Sequence, residues 1–152
     1  MRRRYFFIVL TIIWMAVIFA FSAQDGERSN RTSMAVGEAV GEVKHPDFNE
    51  WDMAERNAYI EDVNKPIRKT AHFLEYAILG VLFYNVLTMY FSSKKLIVFC
   101  IILCMLYAIT DEIHQLFVEG REGAVRDVII DTCGGLFGTI VNNILYNKRI
   151  SH

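Results

Sequence analysis

The stretch LIVFCIILCMLYAITDEIHQLFVEGR, residues 96–121, begins as unbroken apolar sequence and ends in a crowd of polar and ionisable groups. Asp111, Glu112, His114, Gln115, Glu119 and Arg121 fall within about three helical turns. Two readings compete. In one, a hydrophobic helix has left a membrane and met water. In the other, these groups belong to a site. The choice depends on whether other segments deliver similar groups to the same depth.

Three more apolar runs accompany this one. YFFIVLTIIWMAVIFAF covers residues 5–21, FLEYAILGVLFYNVLTMYF residues 73–91, and VIIDTCGGLFGTIVNNILY residues 128–146. A membrane-spanning helix needs about 20 mostly apolar residues. These three runs suffice, and the run from Leu96 reaches that length by continuing to Gln115. Spans are therefore expected at 5–21, 71–91, 96–115 and 126–146, all within one domain covering residues 1–152. The first run has the flanks of a secretory signal, MRRR before it and AFSA after it. It is longer than the roughly 7–15 residues of a signal core.

Composition agrees. The chain is 53% hydrophobic, above the roughly 45–50% of soluble domains. A net charge of −1 excludes a nucleic-acid partner, which calls for a concentrated basic surface. Cys100, Cys104 and Cys133 lie in apolar runs without a CxxC pair and read as small core residues.

Basic residues orient the spans. Arg2, Arg3 and Arg4 precede the first, Lys94 and Lys95 separate the second from the third, and Lys148 and Arg149 follow the fourth. With four spans these places share one side. The positive-inside rule makes it the cytoplasmic side. The expected fold is all-α: a four-helix transmembrane bundle in the cell membrane, both termini cytoplasmic, with a long outer loop over residues 22–68. The start of that loop, SAQDGERSNRTS, reads as turn-rich and mobile. FNEWDMAERNAYIEDV, residues 48–63, has helical character. Trp51 and Tyr59 suit a helix lying on the membrane surface, and a solvated helix over the bundle is the alternative.

In this arrangement the outer ends carry the charge. The second span opens with RKTAHFLEY, where Lys69, His72 and Tyr76 share a face at about 100° per residue. Asp111 and Gln115 share a face of the third span, with His114 flanking. The fourth span opens with RDVIID, placing Asp127 and Asp131 one turn apart on a face that continues through Gly134, Gly138 and Asn142. The Gly134/Gly138 spacing permits close helix packing, so that face, and both aspartates, should point into the bundle. Glu75 and Asp131 lie about a turn inside apolar sequence, where a charge costs roughly 2.5–3.5 kcal/mol at mid-membrane and less near the interface. Charges at span ends are ordinarily interfacial anchors, and Arg68, Glu112, Glu119, Glu122 and Arg126 fit that reading. Lys69, His72, Asp111, Gln115, Arg121, Asp127 and Asp131 fit a site better, with a structural ion-pair network as the alternative.

At these residues the chain resembles the VanZ-like family of bacterial membrane proteins. The matching pieces, in order, are W-x3-IFAFSAQ, RKTAHFLEYAILG, YAITDEIHQLFVEGR and RDVIIDTCGGLFG. Glu119 stands where the family often has proline before Gly-Arg. The resemblance implies a multi-pass cell-envelope protein, and the family's name comes from a member associated with resistance to the glycopeptide antibiotic teicoplanin. The motif positions it implies are Ser22, Lys69, His72, Tyr76, Asp111, Glu112, Gln115, Arg121, Asp127, Asp131 and Gly135.

Two functions remain open at this point. The first is an outward site binding an anionic lipid or lipid-linked cell-wall precursor through Ser22, Lys69, His72, Tyr76, Gln115 and Arg121, since guanidinium forks suit phosphate. The second is a membrane-embedded enzyme acting on a lipid-linked substrate. There His72, Asp111, Glu112, Asp127 and Asp131 would supply acid–base chemistry, or Asp111, Asp127 and Asp131 would hold a divalent metal. No HExxH motif, His-rich ligand spacing or G-x-S-x-G motif supports the enzyme, so no specific motif indicates the metal. A transporter ranks last, because the inner halves of the spans offer only Asn85, Asn142 and Asn143. The oligomeric state is not legible.

Overall fold

The computed structural model describes residues 2–91 and 94–150. Every regular element among them is helical: α1 (Arg2–Ser22), α2 (Gly26–Lys44), a 3₁₀ turn (Phe48–Glu50), α3 (Met53–Leu87), α4 (Lys94–Gln115) and α5 (Val125–Ile150). Among the described residues, α1, α3, α4 and α5 are long and apolar enough to cross a membrane. Their apolar side chains face outward in number: Tyr5, Ile12, Phe19, Val98, Ile113, Ile129 and Phe137 are all exposed. Water would penalise such a surface, whereas lipid does not. The side chains of Arg2, Arg3, Arg4, Lys94 and Arg149, on which the orientation reading rests, lie outside the described residues.

The core forms where α5 meets α3 and α4. Gly134 and Gly138 set this contact, because a methyl group on either would run into the backbone carbonyl of Phe73 or Ala77 on α3. The face of α5 carrying Asp131 is thus its packing face, as the small-residue spacing predicted. Thr139 Oγ1 donates to the Gly80 carbonyl at 3.4 Å, and Tyr84 Oη donates to Asn143 Oδ1 at 2.9 Å. The polar partner on α5 toward its C-terminal end is Asn143. Ile18, Tyr76, Leu79, Cys104 and Ala108 form the buried cluster nearer the end of the bundle where α1 and α4 finish. Two side chains fasten α1: Trp14 Nε1 donates to the Glu75 carbonyl at 2.9 Å, and Tyr107 Oη donates to the Met15 carbonyl at 2.6 Å.

Three expectations need correction. The segment starting SAQDGERSNRTS is helical from Gly26, not irregular. Asp25 caps it by accepting from the Arg28 amide at 2.7 Å, and Glu27 favours its first turn. Its buried small residues Ser33 and Gly37 let it lie along α3, with Gly37 against Ile60, Val63 and Ile67 and Gly41 against Phe48 of the turn. Local composition looked turn-like, and packing overrode it. Second, residues 53–63 are not a separate helix on the membrane surface. They continue without a break, through Pro66, into the apolar part of α3, which ends at Leu87 and not at residue 91. α2 and the N-terminal part of α3 form a hairpin whose turn is filled by His45, Phe48, Trp51 and Tyr59. Trp51 and Tyr59 pack there with one another. Third, Cys100 and Cys104 are buried, but Cys133 is exposed. It lies on the outward face of α5 that also carries Ile129 and Phe137.

Candidate functional site

The ends of α1 and α4 meet through a buried polar lock. Gln115 Nε2 donates to Ser22 Oγ at 2.8 Å and lies 3.4 Å from Asp111 Oδ2. All three residues are at most 4% exposed. Asp111 and Gln115, one turn apart on α4, thus present a single polar face toward α1. His114 points elsewhere and stacks on Phe19.

The loop from α4 to α5 returns over this lock. Gly120 takes φ +70°, a conformation that favours glycine, and the Glu119 carbonyl accepts from the Gly26 amide at 2.9 Å. The turn uses the Glu119 backbone, which a glutamate supplies as well as a proline. Arg121 then reaches back to the end of α1 and the link after it, donating from Nε to the Gln24 carbonyl at 3.1 Å and from Nη2 to the Phe21 carbonyl at 3.3 Å. Burial, followed by the nearby Arg68 guanidinium, lowers its pKa from the ordinary value. Arginine starts so high that the group stays cationic. Glu112 accepts from the Ala124 amide at 2.7 Å through Oε2, which places its carboxylate at the N-terminus of α5, where negative charge is favoured. Lys69 and Asp127 pair with each other across α3 and α5.

Beside the lock lies a cleft of about 260 Å³ between the end of α1, α2, α3 and the returning loop. Arg68, His72, Glu75 and Arg121 supply its polar wall, and Phe21, Val36 and Ile67 its apolar one. Arg68, His72 and Glu75 stand at i, i+4 and i+7 on α3, so one helical stripe faces the cleft. Arg68, expected as an anchor, thus lines the cleft, as does Glu75, which the sequence marks as a charge inside apolar sequence but which was not among the expected binding residues. The i, i+4, i+7 spacing was the signal available for both.

Behind the cleft, His72, Asp111 and Asp131 converge, with one ligand-type atom from each within 4.8 Å of the others. Asp131 is fully buried. Both its carboxylate oxygens lack a hydrogen-bond partner, as do Asp111 Oδ1, His72 Nδ1 and Tyr76 Oη. Asp127, expected to join Asp111 and Asp131, sits instead with Lys69 on the partly exposed side. His72 takes its place.

The sequence model of the VanZ/LLP1 family matches residues 7–146, which spans the lock, the cleft and the converging acids. The chain belongs to the VanZ/LLP1 family. No curated protein and no solved structure matches it. Within this VanZ/LLP1 chain the motif positions divide by location. Ser22, Asp111 and Gln115 form the lock, Arg121 and Glu112 shape the loop, and Lys69 and Asp127 pair. His72, Tyr76 and Asp131 reach the buried centre, while Gly135 packs against Cys104 and Gly80. The protein is accordingly a multi-helix membrane protein of the VanZ/LLP1 family.

Proposed function

We propose that this VanZ/LLP1 protein binds the anionic headgroup of a membrane lipid or lipid-linked cell-wall precursor at the outer face of the membrane. The observation that carries this reading is the cleft where Arg68 and Arg121 face His72 beneath an apolar wall. Two guanidinium groups suit a phosphate, and Arg121 has donors left beyond the two it gives to carbonyls. Lys69, engaged by Asp127, contributes less than expected. The apolar wall continues outward: Thr32 and Val36 border both the cleft and a stripe formed by Ala35, Ala39, Val40 and Val43 on α2. Val43 is 88% exposed, so the outer hairpin leaves an apolar track beside the cationic wall, suited to the tail of an amphiphile.

The outward orientation rests on the basic residues flanking the spans. In this reading the protein shields an outer-leaflet target, and a contribution to teicoplanin tolerance follows because teicoplanin carries a fatty acyl tail. Native mass spectrometry of the gently extracted protein tests the site. An anionic lipid retained by the wild type and lost in Arg68→Gln supports it, since Arg68 lines the cleft. Equal retention in wild type, Arg68→Gln and Arg121→Gln would sink it, as would unchanged teicoplanin tolerance for the resistance role.

One observation favours a second reading, an enzyme acting on a lipid-linked substrate: ligand-type side chains converge directly behind the cleft.

A further inference from the structure

We infer that His72, Asp111 and Asp131 form a binding site for one divalent cation of the Mn²⁺ or Zn²⁺ class. The site stands on its own geometry, independent of lipid binding. One ligand-type atom from each residue lies within 4.8 Å of the other two, a spacing that a central ion closes with small side-chain movements.

The decisive observation is Asp131. It is 0% exposed, and neither carboxylate oxygen has a hydrogen-bond partner. A buried carboxylate without partners is costly, and here a second one, Asp111, stands beside it with Oδ1 also unpartnered. The neighbours do not resolve this. Tyr76 Oη lies within electrostatic reach of both acids, yet it too has no partner. Lys69 is committed to Asp127, and Arg121 gives Nε and Nη2 to the end of α1. A dication neutralises two carboxylates and takes up their free lone pairs at once.

The surroundings resemble those of a built site. Gln115 lies at Asp111 Oδ2, which orients that carboxylate and leaves Oδ1 for the centre. Such outer contacts are what position metal ligands. His72 borders the cleft, so an ion has a route in, and three protein ligands leave a coordination position open, as in catalytic metal sites. One imidazole with two carboxylates fits Mn²⁺ or Zn²⁺ better than Ca²⁺, which takes oxygen ligands alone.

The test uses the full-length protein in nanodiscs, stripped with EDTA and titrated with MnCl₂ and, separately, ZnCl₂. Bound metal is counted by elemental analysis, and the melting temperature is followed in parallel. About one ion per chain is expected, with a rise in melting temperature because the ion binds the folded state alone. Asp131→Asn should abolish stoichiometric binding. His72→Gln, at the partly open edge and less disruptive to folding, should weaken it at least about tenfold, roughly 1.4 kcal/mol. Absence of stoichiometric metal in a folded wild type, or equal metal response in wild type and His72→Gln, overturns the assignment. Lipid is scored in the same samples: loss of metal with lipid retained in Asp131→Asn supports the metal site and leaves the headgroup reading standing. Metal bound at one per chain without any retained lipid supports the metal site and counts against the headgroup reading alone.

Discussion

Gln115 holds Ser22: its side-chain amide donates to the serine hydroxyl at 2.8 Å, joining the C-terminal ends of α4 and α1 across 93 residues of sequence. The same amide lies at Asp111 Oδ2, so one side chain couples the helix lock to the acids behind it. Gln115→Leu should remove both contacts and leave Ser22 and Asp111, still beside each other, without the amide donor. The expected loss is about 1–3 kcal/mol, read as a lowered melting temperature in detergent. Ser22→Ala, which keeps Gln115 at Asp111, should lose less. Equal stability of Gln115→Leu and wild type would show that the lock contributes nothing.

Contact between α3 and α5 depends on the missing side chain at Gly138, whose methyl would strike the Ala77 carbonyl. Gly138→Leu should destabilise by at least the 1–3 kcal/mol typical of overpacking, because backbone yields less readily than a side chain. Cys133→Leu, on the exposed face of the same helix, is the control and should leave the melting temperature unchanged in lipid. A pair of thermal denaturation curves in nanodiscs decides between the two faces.

Lys69 and Asp127 are each about a third exposed at the side chain, so their pairing should be modest. A double-mutant cycle with Lys69→Met and Asp127→Asn should give a coupling of about 0.2–1 kcal/mol. A coupling several times larger would place the pair in a drier setting than its exposure implies.

Deeper in the bundle, Tyr84 Oη donates to Asn143 at 2.9 Å, and Tyr84 is 2% exposed. Tyr84→Phe leaves the Asn143 carboxamide oxygen without this donor and should cost about 0.5–1.5 kcal/mol by thermal melting. Lipid and metal retention should not change, since the residue lies far along the helix from the cleft.

Orientation is testable by labelling. In a background with Cys100, Cys104 and Cys133 replaced by alanine, Asp47→Cys at the hairpin turn should react with a membrane-impermeant maleimide on intact cells. Lys148→Cys should react only after permeabilisation. The reverse pattern would turn the cleft toward the cytoplasm and end the outer-leaflet proposal, while leaving the metal assignment untouched.

Much of the fold is written in local properties. Span length and hydropathy require no knowledge of neighbours, and four apolar runs of helical length became α1, the apolar part of α3, α4 and α5. The Gly134/Gly138 spacing similarly identified the packing face of α5 before its partner was known. Local composition was a poor guide at residues 26–33, because α2 is held by Ser33 and Gly37 against α3 and by Gly41 against Phe48, contacts invisible from α2 alone. The same reason joined residues 53–63 to the second span.

For the site, the sequence by itself determined which polar residues share one end of the bundle, since depth follows from position along each helix. Only the tertiary structure decided how they group, since grouping depends on the rotation of each helix about its own axis. Asp127 and Asp131 are indistinguishable by spacing, yet one meets Lys69 and the other stands buried beside His72 and Asp111. Arg68 and Lys69 are adjacent in sequence, yet only Arg68 lines the cleft, because neighbouring helical residues point about 100° apart.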